Sequence, residues 1–558
     1  MFDLEKLLKN EYFPLELPQC FNTLKISKYS KKISGWVNSS NIKNSIPFTF
    51  SGFKNINARR KFSIPNPYHY VKAIECIVNN SNEIFKILNK SNISLSAPID
   101  GKISDNQPYC KKTYSVSETR KEIEKLYQDN TYQIKLDISA FFDSIYTHSI
   151  PWAMHTKQTA KKSKGKAGLT GDKIDYCMQA MNYSQTHGIL VGNAVSRIVS
   201  EIILCTVDYK IQVNFKNIKC KRFVDDYYIF VKNAYEIQNI ISFIRTELGK
   251  YELLLNENKI SVMESPFSYG KVWVEELKLY IHLDKELFLN KTINLFNKYN
   301  DISILKYGIT VISFYSFAKT DWNVIESKII NLWTRFPSLS YLIINVFLSN
   351  KNLLRKNNIK NAIYTILEKN IELNNHEEVM WTIWIAKIFE IKINSSHLIN
   401  IIQSKNCIAI ILILDIISDS KYVKSKGLIA AVNEMLDFLD NEPDVLWSQY
   451  WILAYEIDFN NWAQGYGRKF EYARNDDFFK KLVVNKINFY DKGFSYKSVH
   501  NRNINSEYLT KKEFYMYLNK LKKMISNVSK ETEGESIESV EKEFDTLKYR
   551  INDLFERY

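Results

Sequence analysis

Three aspartates carry the most chemistry this sequence offers. Asp225 and Asp226 stand together in KRFVDDYYIFV, residues 221–231, where two apolar, aromatic-rich runs flank the pair. That pattern predicts a hairpin presenting both carboxylates at its turn, a geometry suited to a divalent ion. Alone, an Asp-Asp pair at a hairpin tip is commonplace. Asp137 lies in IKLDISAFFDSI, residues 134–145, where a strand-like run gives way to a helix-like one containing Phe141 and Phe142. Two-metal phosphoryl transfer needs carboxylates from separate strands, because one ion activates an attacking 3'-hydroxyl while a second holds the triphosphate and leaving group. Asp137 and the Asp225/Asp226 pair meet that need if their strands are neighbours. Asp143 is a rival acid in the same segment, better explained as a solvated helix residue.

A third segment, QTHGILVGNAVSRIVSEIIL over residues 185–204, places Gly188 and Gly192 ahead of a stretch of regular apolar spacing. Glycines there let backbone approach a template base or incoming nucleotide closely, although a GxxxG before a helix is also an ordinary packing signal. His187 beside them reads as a structural residue. Residues 156–173, TKQTAKKSKGKAGLTGDK, hold six lysines and three glycines and predict an exposed basic loop, with Lys161, Lys162, Lys164 and Lys166 as contacts for nucleic acid.

The elements that must position these groups follow from periodicity. Up to about residue 295, strand-like runs (133–138 and 221–231) mix with helical ones (189–207 and 235–255), which predicts an α+β domain. From about 300, stretches such as HEEVMWTIWIAKIFEI, IAIILILDIIS and VLWSQYWILAYEI follow one another with little strand signal, predicting an all-α, helical-repeat-like domain over 296–528. Residues 529–558 form a charged tail in which Ile537, Val540, Phe544, Leu547, Ile551 and Leu554 make a short heptad seam. Such a seam docks on its own protein more readily than it forms a free coiled coil; with the helical array it makes a homo-oligomer the expectation.

Composition agrees with a polyanionic partner. The chain has 558 residues and 45% apolar content, and 76 Lys and Arg against 61 Asp and Glu give +15. Its 35 Tyr and 32 Phe are stacking platforms for unpaired bases as well as core material. Seven scattered cysteines with no CxxC pair show no visible zinc site or disulfide framework and fit a reducing cytosol. The longest greasy run, near 407–414, is cut by Asp415 well short of a membrane span, so neither membrane nor export pathway is expected.

Taken together and in this order, DISAFFDSI, THGILVGNAVS and FVDDYYIF resemble motifs A, B and C of reverse transcriptases. The resemblance implies a right-hand polymerase with fingers and palm over 1–295, acting on dNTPs with Mg2+ or Mn2+ to make DNA. It implies Asp137, Asp225 and Asp226 as catalytic metal ligands, with the backbone carbonyl of Ile138 as a further ligand. Arg60 in RRKFSIP resembles the fingers arginine that reaches the triphosphate, with Arg59 and Lys61 as basic neighbours. Leu255, Asn256 and Lys259 resemble the motif D segment whose lysine lies near the leaving pyrophosphate, and Phe142 stands where the family keeps a ring that excludes a 2'-hydroxyl.

Within that family, YFPLELPQCFNT, IPNPYHY and a motif B of the form GIxxGxxxSRxxxEIxL resemble the bacterial abortive-infection and defence-associated enzymes, as does the helical half. This branch implies a cytoplasmic bacterial protein acting against phage, by template-independent, protein-primed synthesis or by copying a noncoding RNA. Tyr12, Tyr29 and Tyr558 are candidate priming groups. Two prolines usual in motif B are replaced by Leu190 and Asn193, which predicts a less rigid loop under the template. A retron-like or retroelement enzyme is the alternative within the class; a non-catalytic nucleic-acid-binding scaffold is the alternative outside it.

Overall fold

In the computed structural model, the described residues are 1–37, 43–98, 116–163, 168–216, 218–268, 270–281, 284–315, 317–419 and 422–494. Lys164, Lys166, the heptad seam and Tyr558 lie outside them. Two compact units are present: one joins the N-terminal residues, Lys121–Tyr269 and Lys360–Lys492, and the other is built on Gly270–Ile359. The helical stretch is thus shared between the units, whereas the boundaries expected at 295 and 528 follow chain order.

The first unit holds both sheets. Strands β1 (Phe48–Asn55) and β2 (Ala58–Ile64) form an antiparallel hairpin in register from Phe48↔Ile64 to Phe53↔Arg59. Alternation buries its base, where Phe50 and Phe62 stack at 5.4 Å, and leaves its tip in solvent. The second sheet contains β3 (Tyr132–Asp137), β4 (Lys219–Phe223), β5 (Asp226–Val231) and β6 (Ser261–Glu264) in the antiparallel order β4-β5-β3-β6. Its two central strands are the most apolar, and Tyr228 and Phe230 of β5 pack into a cluster with Leu95 and Ile123. Neighbouring β3 and β5 satisfy the condition that the three aspartates required.

Four helices of this unit matter to the site or correct the sequence reading. Helix α1 spans Lys157–Ser163, α2 Thr170–Met181, α3 Ala194–Asn214 and α4 Tyr235–Gly249. The expected basic loop is therefore largely helical. Lysine, glutamine and alanine are good helix formers, and Ala160 gives α1 a buried contact, so charge density did not mean irregular structure. The start of α3 is later than the apolar spacing suggested, because Asn193 is extended and its side chain caps the helix by accepting the Ser196 amide at 3.0 Å.

Beyond β6 the described residues contain helices and no strand. In the first unit these include α5 (His376–Ile388), α6 (Ser395–Gln403), α7 (Cys407–Ser418), α8 (Lys426–Asp440) and α9 (Trp451–Phe459). Helices α5, α7 and α9 pack in series and α6 packs on α8, the alternate-neighbour pattern of a helical repeat. The greasy run of α7 is buried in that stack, and no helix among the described residues is long and apolar enough to cross a membrane. In the second unit, the helix Ile302–Ser313 packs on both Lys285–Tyr299 and Ser340–Ser349.

Candidate active site

Strand register brings the acids together. Asp137, the last residue of β3, is the direct partner of Asp226, the first of β5, and Asp225 occupies the turn between β4 and β5. Burial pushes the Asp225 carboxyl up to about 6, helped by the neighbouring charges of Asp226 and Asp137 and opposed by Arg60. Asp226 is raised too, chiefly by burial, while Lys135 at 3.7 Å favours its charged form. Asp137 is 9% exposed and receives both the Lys259 ammonium and the Asn256 amide at 3.1 Å. Lys259, expected near a leaving group, thus reaches the Asp137 carboxylate directly.

Ile138 continues β3 through a bridge to Leu255. The flanking bonds, Asn256 N–H to Asp137 O at 2.8 Å and Ser139 N–H to Leu254 O at 2.8 Å, make Ile138 and Leu255 a non-hydrogen-bonded pair. Its own N–H and C=O therefore face the opposite edge, toward β5 and the acids.

The acidic turn is strained and held from below. Val224 has φ +55°, unusual for a β-branched residue. Its amide donates to Ser96 Oγ at 2.9 Å and its carbonyl accepts from Arg222 Nη1 at 2.7 Å. Arg222 is fully buried between Asp208, 2.8 Å from Nη2, and Glu201, 3.0 Å from Nη2. Those acids share one face of α3. Ser94 and Ser96 donate to Glu201, and the Tyr227 hydroxyl donates to Asp208. Glu201 consequently stays below the usual carboxylate range despite burial, because Arg222 and the two serines favour its charge.

The loop before α3 is also pinned. Gly188 and Gly192 have φ of +81° and +109°, and an added Cβ would meet Asp143 O at 3.1 Å and Pro14 Cγ at 2.7 Å, respectively. The close approaches at these glycines are thus to the protein's own chain. Asn193, fully buried, both caps α3 and donates to Leu190 O at 2.9 Å, and Ser63 of β2 donates to Val191 O at 3.0 Å. Asn193 thus ties the loop to α3 at a position where proline is usual. Phe142 is half-buried beside Phe141, and its carbonyl accepts from the Ile189 amide at 2.9 Å.

This geometry coincides with a family match. Residues 76–285 match the model of "Reverse transcriptase (RNA-dependent DNA polymerase)", a span containing Asp137, Asp225, Asp226 and the pinned loop. The chain carries a reverse transcriptase domain. No curated protein matches it. Among solved structures, apo telomerase from Candida tropicalis truncated from its C-terminal domain is 14% identical with a TM-score of 0.27, covering 44% of this chain; the chain spans 56% of that protein. Apo telomerase from Candida tropicalis is 12% identical, TM-score 0.30, with 78% and 76% covered. The BmCPV RNA-dependent RNA polymerase is 11% identical, TM-score 0.28, with 61% and 29% covered. These likenesses are too remote to bear on function.

Within the reverse transcriptase domain, the acids form a hard-oxygen donor set in which burial, helped by mutual repulsion, raises two of the pKa values, an environment a divalent cation relieves. As they stand, no group of three or more His, Cys, Asp or Glu side chains among the described residues is gathered tightly enough to hold an ion. Asp137 and Asp226, paired across β3 and β5, are carboxylates of the type that an oxygen-coordinated cation such as Mg2+ takes. Lys161 and Lys162 are exposed on α1. Arg60, outside the matched span, lies on exposed β2 close enough to Asp225 to lower its pKa. Tyr12 is fully buried with its hydroxyl donating to Pro65 O at 2.7 Å, which removes it as an accessible priming group. Tyr29 donates to Asn485 O at 3.2 Å.

Sequence reasoning missed the Arg222, Glu201, Asp208 and Ser96 network. A signal was present: two acids seven residues apart, on one helical face of a largely apolar stretch.

Proposed function

We propose that the chain is a two-metal DNA polymerase of the reverse transcriptase type, adding dNTPs to a growing DNA end. The observation that carries this is the convergence of Asp137, Asp225 and Asp226 on one sheet edge with Arg60 within electrostatic reach. Asp137 and Asp225 are the ligands for Mg2+ or Mn2+, assisted by Asp226 and the Ile138 carbonyl. The metals lower the barrier to attack of a 3'-hydroxyl on the α-phosphorus and stabilise the departing pyrophosphate. Arg60 binds the triphosphate, Lys259 turns from Asp137 toward the leaving group, and Phe142 restricts the sugar to its deoxy form. Gly188 and Gly192 shape the loop lining the nucleotide, and Lys161, Lys162, Lys164 and Lys166 contact the nucleic acid.

In this reading residues 1–295 are fingers and palm, 296–528 the helical domain and 529–558 the tail. Anti-phage defence in the bacterial cytoplasm is the biological role, supported by the motif resemblance to abortive-infection enzymes. The product is made on a noncoding RNA or without a template, by a homo-oligomer. Replacing Asp225 and Asp226 with alanine abolishes nucleotide incorporation by the purified protein; extension at the wild-type rate would overturn the assignment. Sequencing of copurified nucleic acid separates the modes: one RNA with its complementary DNA means templated synthesis, and random-sequence DNA attached to protein means template-independent synthesis.

A further inference from the structure

The free edge of the fingers hairpin is occupied by the first turn of α5. Strand β1 pairs with β2 on one side, so the amides of Ser51 and Phe53 point away from the hairpin. Both are captured: Ser51 N–H donates to His376 Nδ1 at 3.3 Å, and Phe53 N–H donates to Glu377 Oε2 at 2.6 Å. Gly52 between them has no room for a side chain, since a Cβ would lie 2.5 Å from the Phe62 ring and 3.0 Å from Glu377 Oε2. Arg59 then crosses from β2. Its two Nη atoms grip Glu378 at 2.8 and 2.7 Å, while Nε and Nη2 hold Ser51 Oγ and O at 2.6 and 3.0 Å. Glu377 and Glu378 are 5% and 3% exposed. A forked ion pair with one partner buried is directional and far stronger than a surface pair.

Side chains alternate along a strand, so Arg59 and Arg60 leave β2 on opposite faces. While Arg59 is fixed to α5, Arg60 is presented to the acids. We infer that α5 is the brace of the fingers: through Glu378 and Arg59 it positions Arg60 for the nucleotide triphosphate. This gives the helical stretch 376–388 a role in nucleotide binding, and it rests on the polymerase reading above. Glu378 and Arg59 are positioning residues that touch no substrate.

The test is steady-state incorporation by the full chain, with KM for dNTP and kcat measured separately for wild type, Glu378→Gln and Arg59→Met, and for the pair combined. Loosening the brace lowers the fraction of protein with Arg60 in place, so KM rises by roughly tenfold while kcat and affinity for the nucleic-acid primer stay within about twofold. The double variant is no worse than either single one, because both remove the same contact. Should Glu378→Gln fail to fold, Arg59→Lys, altered at the partly exposed end of the pair, carries the same comparison. Hydrogen exchange at the Ser51 and Phe53 amides gives a second readout, faster in the variants. Wild-type KM and exchange in folded variants would overturn the brace. A wild-type protein that incorporates no nucleotide would instead overturn the polymerase reading, so the two failures are distinguishable.

Discussion

Ser96→Ala probes the support beneath the turn that carries Asp225. The hydroxyl accepts the Val224 amide at 2.9 Å and donates to the buried Glu201 carboxylate at 2.7 Å, so one substitution removes both bonds. A neutral hydrogen bond is worth about 1 kcal/mol net and one to a charged group about 1.5–3 kcal/mol, which puts the loss at about 2–4 kcal/mol. Holding Val224 at φ +55° costs about 1–3 kcal/mol on its own, so the turn has a reason to relax once its amide is freed. A relaxed turn misplaces Asp225. If about 2 kcal/mol of that support is felt in the transition state, kcat falls roughly thirtyfold. Urea denaturation reads the stability, and incorporation across a Mg2+ series reads the site. Calorimetric titration with Ca2+, which reports binding without turnover, shows weaker affinity in the variant. A variant less stable by this amount but unchanged in kcat and cation affinity would show that the network serves the core alone and refute the reasoning.

Glu456, fully buried and raised from 4.5 to about 7 mainly by burial, holds a proton more tightly folded than unfolded. Its contribution is therefore complete below pH 4.5 and is lost as pH rises toward 7, by about 3 kcal/mol at most; Glu456→Gln should flatten that part of the stability profile relative to wild type in urea melts at pH 5 and 8. Asn193→Ala removes both the cap of α3 and the tie to Leu190 O, costing about 1–3 kcal/mol by thermal unfolding. Phe142→Ala should raise incorporation of ribonucleotides relative to deoxynucleotides by at least about tenfold, read by competition between the two; an unchanged ratio would remove Phe142 from sugar selection.

Local pattern placed the three aspartates at strand ends. Asp137, Asp225 and Asp226 sit at strand ends defined by short-range alternation, and a strand pairing then places Asp226 opposite Asp137. Pattern misjudged α1, because a lysine-rich run is polar in the way a loop is while its residues still favour helix. It gave no sign that the loop before α3 is tied by a buried asparagine through two hydrogen bonds. Tyr12, named from sequence as a candidate priming group, is core in the fold.

The remaining gaps have one physical origin. Arg222 meets acids on α3, and Arg59 meets Glu378 more than three hundred residues along the chain. Which partner each charge meets cannot be read from helix or strand spacing, because a buried ion pair depends on which elements pack and not on their local period. Each charge alone looks like ordinary surface polarity. Both networks stand behind a group assigned to substrate or metal, Arg222 behind Asp225 and Glu378 behind Arg60. A buried charge is strongly destabilising when its partner is removed, by about 3–5 kcal/mol, so such pairs fix geometry more sharply than apolar contacts of the same size. The sequence therefore displays the groups proposed to perform the chemistry, while the groups packed behind them emerge only once the chain is folded.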